Sequence, residues 1–198
     1  MPNTSATGGA LAPVGVQQAA DLNLDLVFQN IAAGVLGFDS DLVRPRWLPD
    51  PSPRPLAGTD WCSVGLTRVD SDTNAILSHD SMNPVGPGRD ILIRHEQIEV
   101  LCSLYGPNAS GNAALLRDGM AVPQNREALA ALQIAYVAAG NIVRLPDLIN
   151  MGWINRADIR LTFRRKITRV YPVLNLLSSA GVVDAETIST PFATENPV

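Results

Sequence analysis

Residues 91–105 read Ile-Leu-Ile-Arg-His-Glu-Gln-Ile-Glu-Val-Leu-Cys-Ser-Leu-Tyr, the longest β-favouring run in the chain, with Asn83-Pro84, Gly86-Pro87-Gly88 before it and Gly106-Pro107 after it. Turn-forming residues on both flanks delimit one long strand. Ile98, Val100, Cys102 and Leu104 share one face, while Arg94, Glu96, Gln97, Glu99 and Ser103 supply polar neighbours. Alternation of this kind predicts one packed face and one face turned to solvent or to a partner.

The same run holds His95-Glu96-Gln97-Ile98-Glu99, which is similar to a zinc-protease helix motif except that glutamate stands where the second histidine belongs. On a strand, His95 and Glu99 lie about 13 Å apart at ~3.3 Å per residue, too far to share one ion. A metal-dependent hydrolase using His95, Glu96 and Glu99 is therefore the weaker reading. The turn Gly86-Pro87-Gly88-Arg89 precedes a strand, whereas phosphate-cradling loops follow one and open a helix.

The chain has 198 residues and a formal charge of −4. A chain of this length buries roughly 70% of its unfolded surface, enough for one domain with a sound core. Charge is unevenly placed: residues 1–43 carry four acids and no base, residues 44–169 a net +3, and residues 170–198 a net −3. Acidic ends around a mildly basic middle do not predict general nucleic-acid affinity. Cys62 and Cys102 sit in apolar β-like runs, where a small buried residue is expected rather than a disulfide or a metal ligand. The first base is Arg44, so no secretory signal is expected. The longest uncharged apolar segment, residues 128–143, is shorter than the ~18 residues a membrane span requires, and a soluble protein is expected.

Residues 1–20 are small, polar or flexible and predict an N-terminal arm; residues 184–198 predict a thin acidic C-terminal tail; residues 21–183 form the domain between them. Leu24, Val27, Phe28, Ile31 and Val35 fall on one helical stripe, with Asp21 as N-cap and Gly37 as stop. Pro45, Pro49, Pro51, Pro53 and Pro55 surround Trp47 and predict an extended loop, either a surface crossover or a clasp onto a neighbouring subunit anchored by Trp47. Strands are predicted at 61–69, through Ile76-Leu77, at 142–145 and at 154–171, with a last short one within 172–183. Helices are predicted from Asn108 to near Gly119 and over 126–139, the latter capped by Asn125. In the strand at 154–171, Ile159, Leu161, Phe163 and Ile167 alternate with Arg160, Thr162, Arg164 and Lys166. The bases Arg160, Arg164 and Lys166 fit a solvated face, an inter-subunit surface, or non-specific DNA binding. The order of elements predicts an α+β fold: an antiparallel or mixed β-sheet with helices packed on one face and extended arms at both ends.

Blocks spaced through residues 20–180 carry a resemblance. Arg44-Pro45-Arg46-Trp47-Leu48-Pro49, Gly58-Thr59-Asp60-Trp61-Cys62, Arg94-His95-Glu96-Gln97-Ile98-Glu99-Val100 and Tyr105-Gly106-Pro107-Asn108-Ala109 are followed by Leu116-Arg117-Asp118-Gly119, Gln124-Asn125-Arg126-Glu127, Pro146-Asp147-Leu148 and Tyr171-Pro172-Val173-Leu174-Asn175-Leu176. In this order the chain resembles the neck or tail terminator proteins of tailed bacteriophages. The resemblance implies a ring, usually a hexamer, that caps the finished tail tube, stops its growth and meets the head-side connector or adaptor. The tail sheath is a further candidate neighbour. DNA would only pass through the ring, and no membrane, cofactor, metal or catalytic residue is implied. Such a protein is made in the host bacterial cytoplasm and ends in the virion. Another neck or head-completion ring protein is the alternative.

The parts suit a ring, because a head-to-tail interface needs two different complementary surfaces on each subunit. The interface residues expected from the sequence are Trp47, Arg160, Arg164 and Lys166, with the acidic residues 1–43 of one copy facing the basic strand of the next.

Overall fold

The computed structural model describes residues 3, 5–14, 23–47, 53–56, 58–71, 74–81, 88–149, 151–176, 178–185 and 188–195. The expected cap Asp21, residues 15–20 of the expected arm, Pro49 and Pro51 of the proline loop, and residues 83–87 of the expected turn lie outside them. In chain order the elements are α1 (Leu24–Leu36), β1 (Val43–Pro45), β2 (Trp61–Ser71), β3 (Ile76–Asp80), β4 (Arg89–Tyr105), α2 (Ala109–Ala121), α3 (Glu127–Ala130), β5 (Ile134–Ala139), β6 (Val143–Arg144), β7 (Asp147–Ile149), β8 (Gly152–Ile154), β9 (Arg156–Tyr171), β10 (Ser178–Ala185) and β11 (Ile188–Glu195), with 3-10 turns at Ser40–Leu42 and Pro123–Arg126. This is the α+β class. Contacts divide the chain into two compact units, residues 17–74 with 95–167 and residues 1–16 with 75–94 and 168–198.

In the larger unit the main sheet runs in the order β1-β2-β4-β9-β5, with β6 also on β9. β1 is parallel to β2, and β2 is antiparallel to β4. Ile98, Val100, Cys102 and Leu104 of β4 are buried together with Cys62 and Val64 of β2 and Ile159, Leu161 and Phe163 of β9. This alternation is the one read from the sequence. The helices cover that face. α1 contributes Phe28, Ala32 and Leu36; α2 contributes Ala109, Ala113, Leu116 and Met120. Phe28 packs on Phe163 with ring centroids 4.6 Å apart.

α1 begins where Asn23 Oδ1 accepts from the Leu26 N–H at 3.1 Å, and it stops at Gly37, whose φ of 67° suits a residue without Cβ. Asp25 in its first turn accepts from the Leu66 N–H at 3.0 Å, beside the bulge between Leu66 and Arg68. The helix dipole and a strand donor are thus met by one carboxylate. Asn108 flanks α2 as expected but makes no cap; its side-chain N–H donates to Asp60 Oδ2 at 2.8 Å.

Three expectations are corrected. The helix expected over 126–139 is not formed as such: a four-residue α3 ends at Ala130, Gln133 takes φ 57°, and Ile134–Ala139 pairs antiparallel with β9. Without β5, the backbone groups on that side of Arg165 to Leu161 would lose their ladder, so pairing overrides the helix preference of the alanines. Secondly, the second face of β4 is not simply open, since Leu101, Ser103 and Tyr105 are also buried. Thirdly, the stretch expected to hold one short strand and a tail instead forms the hairpin β10–β11, with eight residue pairs from Ser178↔Glu195 to Ala185↔Ile188.

In the smaller unit, β3 pairs with the first part of β4 from Ile76↔Ile93 to Asp80↔Arg89, and Val14 bridges to Val170. The expected outer strand through Ile76 and Leu77 is therefore present. Leu174 N–H donates to Ser5 Oγ at 2.8 Å, tying residues near the N-terminus to the segment after β9.

Candidate interaction surfaces

The face of the large sheet opposite the helices is built from the out-of-phase residues of β2, β4 and β9. On β2, Gly65 is overlaid by the chain leaving β1: Arg46 N–H donates to Val64 O at 2.8 Å, and Arg46 Nη1 donates to Ser103 Oγ at 2.7 Å. Those two bonds lay Trp47 over the strand while leaving it 58% exposed. Arg44 Nη1 donates to Pro53 O at 2.6 Å and closes the base of the proline loop.

On β9, Arg160, Arg164 and Lys166 share a side by strand parity, and Arg160 and Arg164 are exposed. Arg160 lies 3.4 Å from Glu99 Oε1, which also accepts from Thr67 Oγ1 at 3.0 Å. Trp47, lying over β2, and Arg160, on β9, therefore belong to the same sheet face, either side of β4. Arg165, which the sequence reading did not separate from the other bases, is in phase with the core. Its guanidinium is buried and meets Glu96 at 2.9 Å.

At one end of this unit a groove of about 510 Å³ is lined by Pro55, Leu56, Trp61, Tyr105 and Trp153. Trp61 stacks on Tyr105 at 4.2 Å and 7° between planes, and Arg156 lies 5.7 Å over the Tyr105 ring. Arg156 in turn is held by both oxygens of Asp158 at 2.7 Å, a hydrogen-bonded pair that raises its already high pKa. Burial pushes the Tyr105 phenol up. Trp61, Tyr105 and Arg156 are thus held by stacking and ion pairing, and the groove presents largely apolar area.

His95, Glu96 and Glu99 lie on β4, with Glu96 and Glu99 engaged by Arg165 and Arg160. Among the described residues no three His, Cys, Asp or Glu side chains are grouped to hold a metal ion. Cys62 and Cys102 are free thiols in the core; their mutual hydrogen bond, then burial, pushes the Cys62 thiol up. Among the described residues no helix is long and apolar enough to cross a membrane.

The described surface is that of a strand-rich α+β protein with an exposed indole, exposed arginines and paired carboxylates. The sequence profile described as phage neck terminator protein matches residues 23–195, so the chain belongs to that family. Membership gives it a structural place in the neck of the virion and implies contact with other neck or tail proteins. Comparison with curated proteins returns no match.

Proposed function

We propose that this protein forms a ring, a hexamer by the family resemblance, that caps the tail tube at the neck, ends tube growth and joins the tail to the head-side connector. The family match across residues 23–195 carries the reading. Two features support it: one sheet face presents Trp47 and the arginines of β9, and the aromatic groove lies on the same unit, so a subunit has different surfaces to offer. In this reading it acts as a structural component with no catalytic role. Trp47, Arg160, Arg164 and Lys166 are its proposed interface residues, and the tube, connector and sheath proteins its proposed neighbours. Mass measurement of purified tailed particles tests the assignment. The chain is expected at one ring per tail, and its absence from intact particles overturns the reading.

A further inference from the structure

Two features are left incomplete among the described residues. One is the outer edge of β5, the last strand on its side of the large sheet. It lies within residues 128–143, the longest run in the chain with neither charge nor proline. Sheet edges are ordinarily defended by lysine, proline or short length; β5 has only the register shift between Tyr136 and Ala138. The other is the β10–β11 hairpin, a sheet of two strands whose described side chains are all exposed except Gly181, with Val182 and Phe192 among them. A two-stranded hairpin is marginal in water unless a face is packed, and the described side chains here are exposed, so a ladder of eight pairs calls for a third strand or a covering surface. Pro191 removes a donor from β11, whereas residues 178–183 of β10 carry neither proline nor charge.

Charge matches as well. Residues 170–198 hold Asp184, Glu186 and Glu195 and no base. Around β5, Arg126 sits 5.5 Å over the Tyr136 ring, Arg164 is in register with Ala135, and Arg160 O accepts from the Gly140 N–H at 2.7 Å. We infer that the β10–β11 hairpin of one copy docks as an added strand on the β5 edge of the next copy, which brings an acidic segment of the sequence to an edge flanked by arginines. A hairpin and an edge are different surfaces, so the contact is heterologous and can close a ring. The inference rests on the ring reading above, and it names the surfaces by which copies meet.

Disulfide trapping between two different full-length variants tests it. A chain carrying Ala135→Cys or Ala138→Cys is mixed with a chain carrying one cysteine at each position from 178 to 182, then oxidised, free and within assembled particles, and read by mass. The native thiols Cys62 and Cys102 are buried. A heterodisulfide can only be intermolecular, and strand pairing predicts that it forms at alternate β10 positions and falls several-fold at those between. No heterodisulfide, or equal yields at all five positions, overturns the inference. A ring by mass without the heterodisulfide defeats this docking and leaves the ring reading intact. Alternate trapping in an assembly that is not a ring retains the docking and defeats the ring.

Discussion

Trp47 lies on the backbone of β2 at Gly65: a Cβ there would stand 2.8 Å from Trp47 Cζ3 and 2.7 Å from Arg46 Cβ. The indole tip can swing away, but Arg46 Cβ is fixed to the chain that hydrogen-bonds Val64 and Ser103. Gly65→Ala is therefore expected to lower stability by about 1–3 kcal/mol, as overpacking does, and to change tryptophan fluorescence. Adding Trp47→Ala should restore part of the loss, since it relieves one of the two clashes. Urea unfolding of the single and double variants gives the answer, and full additivity would mean that the two residues do not press on each other.

The two ion pairs between β4 and β9 should differ sharply in worth. Glu96 and Arg165 expose only 15% and 9% of their side chains, and Glu96→Gln leaves a buried guanidinium without this counter-charge. Breaking a buried pair from one side costs about 3–5 kcal/mol. Arg160 at the Glu99 pair is 61% exposed, and Glu99→Gln should cost about 0–1 kcal/mol. Equal shifts of the two variants in chemical denaturation would contradict the burial argument.

His79 contacts acceptors with both ring nitrogens, Nδ1 at 2.8 Å from Asp90 and Nε2 at 2.9 Å from Asn175 Oδ1. Both bonds are satisfied together only by the imidazolium, and the hydrogen bond to Asp90, then that to Asn175, raises its pKa. Asp80, paired with Arg89, adds a smaller push in the same direction. A raised pKa means that the contact is fully present below the ordinary value near 6.5 and is lost as pH rises through the folded value. Amides of residues 173–176 should accordingly exchange faster with solvent above neutral pH, beyond the intrinsic base catalysis of exchange. His79→Gln should remove the excess; an excess that persists would place the pH response elsewhere.

Much of this architecture could be read from side-chain period. Residues 98, 100, 102 and 104 alternate with polar neighbours and are buried as expected, because one face of β4 meets two helices. The same test applied strictly to β9 would have singled out Arg165, the one charge among 159, 161, 163, 165 and 167. Residues 126–139 misled because alanine and leucine satisfy a helical stripe as well as a strand. The left-handed backbone at Gln133 and the partner strand β9 decide the outcome, and neither is local information. The β10–β11 hairpin was illegible for a different reason: Ser, Ala, Gly and Thr carry little apolar signal, so its pairing shows only in the backbone. Of the residues expected at an interface, Trp47, Arg160 and Arg164 are exposed and Lys166 is half-buried, while the aromatic groove went unread because Trp61, Tyr105 and Trp153 come from three separated strands.

Arg164 is the residue on which charge complementarity between copies is best tested. Arg164 is exposed and in register with Ala135 at the open edge of β5. Two acidic sources compete for it in a neighbouring copy: residues 1–43, where Asp25 already accepts from Leu66 and Asp39 and Asp41 are exposed, and the C-terminal segment, where no base accompanies Asp184, Glu186 and Glu195. A rim pair contributes only about 0–1 kcal/mol, so Arg164→Glu should weaken ring formation by up to roughly fivefold per contact. The loss should be larger at about 0.05 M salt than at ~0.5 M, because the screening length falls roughly threefold between them. If the hairpin is the partner, Asp184→Lys in the same chain restores assembly of Arg164→Glu and Asp41→Lys does not. Sedimentation of the single and paired variants at both salt concentrations distinguishes the two. Assembly of Arg164→Glu equal to the parent at low salt would show that no carboxylate of a neighbouring copy lies within reach of this guanidinium.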